Sequence, residues 1–167
     1  MQTYSMTTDW IGELAETAKT HDRRHRERER RLELESRAIT AGSQNFWNDL
    51  TATVERDLLR FQREFDNEPG RTLVLEPLAA NSFWVVRPGF PGVKLHVQMH
   101  PSGRAIEFRY NAIADDTSST LKCCGTLDMR VDRNGQLYLN QYGRDFLNFD
   151  EVSRMFLERV FMGIAFY

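Results

Sequence analysis

Cysteine is nearly absent from this chain, and the two present, Cys123 and Cys124, are adjacent. Successive side chains on a strand point to opposite faces, so a bridge between these two would need a strained geometry, and no second pair exists to build a disulfide framework. A reducing, cytoplasmic setting is the expectation. Lysine is also scarce: of the 22 basic residues only Lys19, Lys94 and Lys122 are lysines. The arginines suit planar contacts with phosphates or carboxylates, but they are dispersed and many sit beside acids, so an arginine-favouring codon usage is the simpler account. No stretch approaches the length of a membrane span, and Met1-Gln2-Thr3-Tyr4-Ser5-Met6 lacks the basic region and apolar run of a signal peptide, so no membrane partner is expected. Charge of one sign is missing as well. The net charge of −2 gives no whole-molecule field that would point to nucleic acid.

Catalytic signatures are absent in the same way. There is no Gly-rich phosphate loop after a strand, no Gly-x-Ser-x-Gly elbow and no His-Glu-x-x-His helix. An enzyme assembled from scattered residues remains compatible with this, but a non-enzyme without cofactor or metal is favoured.

What the sequence does have is a charge-saturated run from His21 to Arg37 that holds seven arginines and five acids. From about Thr8 to Ala41 there is no proline, and Gly42 stands where a helix would stop. Heptad positions counted from Ile11 are Ile11, Leu14, Ala18, His21, His25, Arg28, Leu32, Glu35 and Ile39, apolar at both ends and polar in the middle. Such a seam does not sustain a coiled coil. Acid-first pairs four residues apart, Asp22 with Arg26, Glu27 with Arg31 and Glu33 with Arg37, would support the central turns at about 0.3–0.5 kcal/mol each.

A second helix is expected over residues 44–65, capped by Ser43 or Asn45, because Phe46, Leu50, Val54, Leu58, Phe61 and Phe65 recur every three or four residues until Pro69-Gly70. Strand-like runs follow at 71–76, 82–87, 93–99, 105–113, 121–131 and 136–140, joined by short turns that favour antiparallel neighbours. Val93, Leu95, Val97 and Met99 alternate with Lys94, His96, Gln98 and His100, so the sheet should have one buried and one wet face. Asn148 with Glu151 reads as a capping box and Leu147 with Val152 as a hydrophobic staple, opening a helix whose stripe is Val152, Met155, Phe156, Val160 and Phe161. The expected fold class is therefore α+β: two N-terminal helices, an antiparallel meander of five or six strands and a C-terminal amphipathic helix, with the helices on one sheet face. The expected division is a charged helical extension, 1–42, and a single domain, 43–167.

Candidate chemistry is sparse. His21 and His25 have a chelating spacing on a helix, but flanking arginines would repel a cation. His96 and His100 share the wet face and could act as bases, yet on a strand they stand roughly 13 Å apart and no nucleophile or orienting acid accompanies them. Asp115-Asp116 reads as turn chemistry, and Asp128 and Asp132, which share the wet face of the fifth run with Arg130 between them, as members of a cross-strand ion pair. Cys123 reads as a small core residue beside Leu121, Leu127, Met129 and Val131, which leaves Cys124, with Lys122 on its face, as the thiol worth testing. Trp84, Phe83 and Phe90 could stack bases, but packing is the simpler account of the first two.

The leading functional expectation is a non-catalytic intracellular module that binds a protein partner, or a second copy of itself, through the wet sheet face and the charged helix. Arg24, Arg28, Arg31, Lys94 and His96 are the expected contact residues. The alternative is a small-molecule pocket or small enzyme centred on His96, His100 and Arg109, with Cys124 as a further candidate. Nucleic-acid binding through the arginine-rich helix ranks below both, since its five acids cancel most of the field.

Overall fold

The computed structural model describes residues 9–65, 68, 73–87, 92–114 and 118–163. Helix α1 spans Trp10–Glu64. It is followed by strands β1 (Val74–Ala79), β2 (Ser82–Arg87), β3 (Gly92–Met99), β4 (Ala105–Ile113), β5 (Ser119–Val131), β6 (Leu137–Gln141) and β7 (Arg144–Phe146), and by helix α2 (Phe149–Met162). The strands form one sheet in sequence order, each antiparallel to its neighbour. The α+β class and the meander are as expected. The expected features at Pro69-Gly70, Arg71, residues 88–91, Asp115-Asp116 and residues 164–167 lie outside the described residues.

Two N-terminal helices were expected, and there is one. Gly42 sits inside α1 because of packing: a Cβ there would come within 2.9 Å of Leu137 Cδ1, so glycine's helix cost of about 1 kcal/mol is accepted for a close approach to β6. Ser43, expected as a cap, is buried in the same helix. In the turn after β3, Gly103 is held at φ 70°, and a Cβ on it would meet Ser43 Oγ at 2.6 Å. The true cap of α1 is Asp9, whose Oδ1 accepts the Gly12 N–H at 3.0 Å.

Contacts divide the chain into two units, Met1–Arg37 and Ala38–Tyr167. The boundary expected at 42/43 falls inside α1, and Ile39 already belongs to the core at 1% exposure. In the first unit the three expected acid-first pairs are not closed. Lys19 with Glu16 at 2.9 Å and His25 with Glu29 at 3.8 Å stand among the described residues instead. Pairs worth a few tenths of a kcal/mol do not fix long exposed side chains.

In the second unit α1 buries Ile39, Trp47, Leu50, Val54 and Leu58, and α2 buries Val152, Phe156, Leu157 and Val160. Both stripes join the inner sheet residues Phe83, Val85, Leu95, Val97, Ile106, Tyr110, Leu127 and Leu139 in one apolar cluster. Phe46 and Phe61, expected in the core, are partly buried against it. Rings lock the layers: Trp47 lies 5.6 Å from Phe83, and Phe108 lies 5.7 Å from Phe156. Tyr110 donates its buried hydroxyl to the backbone oxygens of Met155 and Phe156, and burial pushes its pKa upward. The two helices are joined by Ser153, which donates to Asp57 at 2.7 Å, and by Arg56, which pairs with both Asp57 and Asp150.

The start of α2 is capped as expected: Asn148 Oδ1 accepts the Glu151 N–H at 2.9 Å. Leu147 is exposed while Val152 is buried, so the staple contributes little. β7 was not foreseen. Three residues are too few to display alternation, and its hairpin turn is Tyr142-Gly143, both with positive φ, rather than the asparagine–glycine pair that marks such turns. The β4–β5 pairing shifts register between Tyr110 and Asn111 of β4, which leaves Lys122 of β5 without a partner on β4 and sets Leu121 opposite Asn111. Leu121 is therefore 53% exposed instead of sharing the core side with Cys123.

Replacing Phe156 with alanine should cost about 3–5 kcal/mol in denaturant titration, as for a fully buried aromatic residue. A chain beginning at Ala38 should unfold cooperatively, whereas one beginning at Ser43 loses Ile39 and should be less stable by about 2–5 kcal/mol. Calorimetry on the two truncated chains checks this, and equal stability would remove Ile39 from the core.

Candidate functional site

Both helices of the second unit cover the inner sheet face, so the polar alternates of the strands collect on the outer one. Cross-strand register places Glu76, Trp84, His96, Arg109 and Cys124 in a single row across five strands. Trp84 and His96 stack with ring centroids 4.3 Å apart and an interplanar angle of 24°, and Lys94 Nζ lies 3.9 Å from the Trp84 ring. Gln98 and Arg109 are exposed beside this stack, while Lys94, His96 and Glu107 are half-buried. Aromatic rings carrying cations on an open face form a surface with both apolar area and direction.

His96 is the most perturbed group in the row. Desolvation under Trp84 lowers its pKa, and the positive charges of Arg109 and Lys94 add to the effect against the opposing Glu107. The imidazole is therefore neutral at pH 7. Its Nε2 and the Trp84 Nε1 are buried with no hydrogen-bond partner among the described residues. A base in that position has neither an orienting carboxylate nor an accessible nitrogen at Nε2, so the stack is built for packing.

The other candidates are dispersed. His100 lies in the turn after β3, where Nδ1 is 2.8 Å from Ser102 Oγ and accepts the Ser102 N–H. Cys124 is an exposed thiol opposite Arg109, and Cys123 lies on the core side opposite Tyr110. Asp128 lies 4.0 Å from Arg130 on its own strand, while Asp132 Oδ1 accepts the N–H groups of Asn134 and Gln136 and holds their turn. Neither is the cross-strand ion pair expected, because Arg130 stands opposite Tyr138 and Asp128 opposite Ala105 and Asn140. Arg24, Arg28 and Arg31 belong to the first unit and are exposed. Among the described residues no three His, Cys, Asp or Glu side chains gather as a metal site. No helix among them is long and apolar enough to cross a membrane.

A groove of about 830 Å³ was missed at the level of sequence. Gly42 and Phe46 of α1, Leu137 of β6, Phe146 of β7 and Phe149 of α2 line it, with Asp49 at its rim. Phe46 and Phe149 meet edge to face there at 4.9 Å. Its walls come from segments some 90 residues apart, and only the cluster of Ala38, Ala41 and Gly42 in the sequence hinted that something packs closely against this helix.

The architecture defines an α+β protein with one helix-covered and one open sheet face. No protein-family profile, curated protein or solved structure matches this chain.

The His96 environment fixes a pH dependence. Its folded pKa lies below the ordinary 6.5, so the unfolded chain takes up a proton that the folded chain refuses. The stability contributed by neutral His96 is present above about pH 6.5 and is lost as pH falls through the folded value. Thermal melts of the parent chain and of His96→Phe, which keeps a ring under Trp84, should diverge below that pH, with the variant losing less. Parallel acid limbs would assign the loss to other groups.

Proposed function

We propose that this protein is a non-catalytic binding module that engages a protein partner through its outer sheet face, with the charged helix as a second contact surface. The observation that carries this reading is the row Trp84–His96–Arg109 with Lys94 above it: rings and cations fixed on an open face, with Trp84 and Arg109 of the residue types that dominate binding energy at protein interfaces. The same observation weighs against a small enzyme or pocket centred on His96, His100 and Arg109. His96 is committed to the stack, and His100 to its own turn. Nucleic-acid binding draws support only from the arginines of α1, which alternate with acids in the sequence. An intracellular setting fits the two unpaired cysteines.

A photo-crosslinking residue at Gln98, used in living cells, should yield a discrete protein adduct, and the same residue at Glu158 on α2 should not. Arg109→Glu or Trp84→Ala should abolish the Gln98 adduct while the purified variant keeps its cooperative thermal transition. An adduct that survives both substitutions, or none from Gln98, would defeat this reading.

A further inference from the structure

Taking the charged helix as a binding surface, as just proposed, we infer that residues 10–35 of α1 pair in parallel with the same segment of a second copy of this chain. In the unit Met1–Arg37, Trp10, Ile11, Leu14, Leu32 and Leu34 of α1 are each more than half exposed. Apolar surface of that kind at both ends of residues 10–35 is suited to a partner helix.

Charge selects the partner and the direction. With Ile11 at heptad position a, the residues flanking the seam separate by sign: Asp22 and Glu29 fall at e, Arg24 and Arg31 at g. In a parallel pair a g residue faces the e residue of the next heptad on the other chain, so Arg24 meets the partner's Glu29, twice per dimer. Arg28, at d, faces the partner's Arg28, and the Glu29 carboxylates at the flanking e positions of both chains offset that repulsion. In an antiparallel pair e faces e and g faces g, which sets acids against acids and arginines against arginines. Arg24, Arg28 and Arg31 form none of the ion pairs within the chain among the described residues. Glu29 pairs only with His25 at 3.8 Å on an exposed surface.

The polar layers at His21, His25, Arg28 and Glu35 keep the seam from sustaining a coiled coil on apolar packing alone. Pairing therefore depends on the apolar layers at Ile11, Leu14 and Leu32 together with the Arg24 contacts to the partner's Glu29. A heterologous helix with the complementary pattern is the competing occupant, and it predicts a monomer in the purified protein.

Sedimentation equilibrium on the full chain should give a mass approaching twice 19.5 kDa at high concentration and falling on dilution. Leu14→Asp, at an exposed position, should leave helicity and the thermal transition unchanged and abolish the dimer. Glu29→Arg should weaken association by about tenfold or more. Mixing that chain with an Arg24→Glu/Arg28→Glu chain should restore it. Oxidation of a Leu14→Cys/Leu32→Cys chain should give 14–14 and 32–32 bridges by peptide mass. A monomer at every concentration, a dimer indifferent to Leu14→Asp, or 14–32 bridges would each overturn the proposal. None of these readouts involves the sheet face, so this inference and the partner-binding reading fail separately.

Discussion

The stripe Ile39–Trp47–Leu50–Val54–Leu58 on α1 is the constraint from which the second unit is built. It has to cover an inner sheet face that is apolar along its central strands, and it cannot do so alone, because one helix is about 10–12 Å across whereas seven strands span roughly 28 Å. α2 supplies the rest, and each point where it meets α1 or the sheet is a specific contact: Ser153 on Asp57, Asp150 on Arg56, and Phe156 against Phe108 under the Tyr110 hydroxyl. The small residues Gly42 and Ser43 let α1 come close enough to β6 and to the turn after β3 for this layer to close.

Closing one face determines what the other can carry. Alternation along β2, β3 and β4 sends Phe83, Val97 and Phe108 inward and sends Trp84, His96 and Arg109 outward. The outward set then stabilises itself by stacking and cation–π contact, and although the lowered pKa leaves His96 in its basic form, Nε2 is buried and turned away from any proton it could accept. The lowered pKa reflects packing on the outer sheet face. A perturbed histidine marks a catalytic site when it sits in a cleft with a substrate-facing nitrogen, whereas the Nε2 of this one is buried.

Much of this was legible in the sequence because the signals were periodic. The stripe from Phe46 to Phe61, the alternation through β3 and β4, and the Asn148–Glu151 box each specify a conformation locally. What was not legible depends on tertiary distance. Gly42 reads as a stop until Leu137 is known to lie against it, and Leu121 reads as core until the register shift between β4 and β5 turns it outward. The row Trp84–His96–Arg109 was visible only as separate wet-face residues, because cross-strand neighbours follow from register. The groove between Phe46 and Phe149 was invisible for the same reason.

The charged segment of α1 differs from the rest in what holds its conformation. Between Lys19 and Arg31 no apolar side chain is available to bury, so helicity there rests on propensity and on continuity with the turns at either end, and the nucleus is already formed once Asp9 caps the start and Ile39 anchors the far end. Arginine and glutamate are strong helix formers, so this composition maintains a long helix with few of its charges in pairs within the chain, among them Lys19 with Glu16 and His25 with Glu29. Most of those charges are consequently unspent on the helix surface, and their sign follows the heptad flanks. A helical segment that leaves most of its charges out of pairs within the chain has them available for recognition, which is the physical reason to look for a partner in the pattern of those charges.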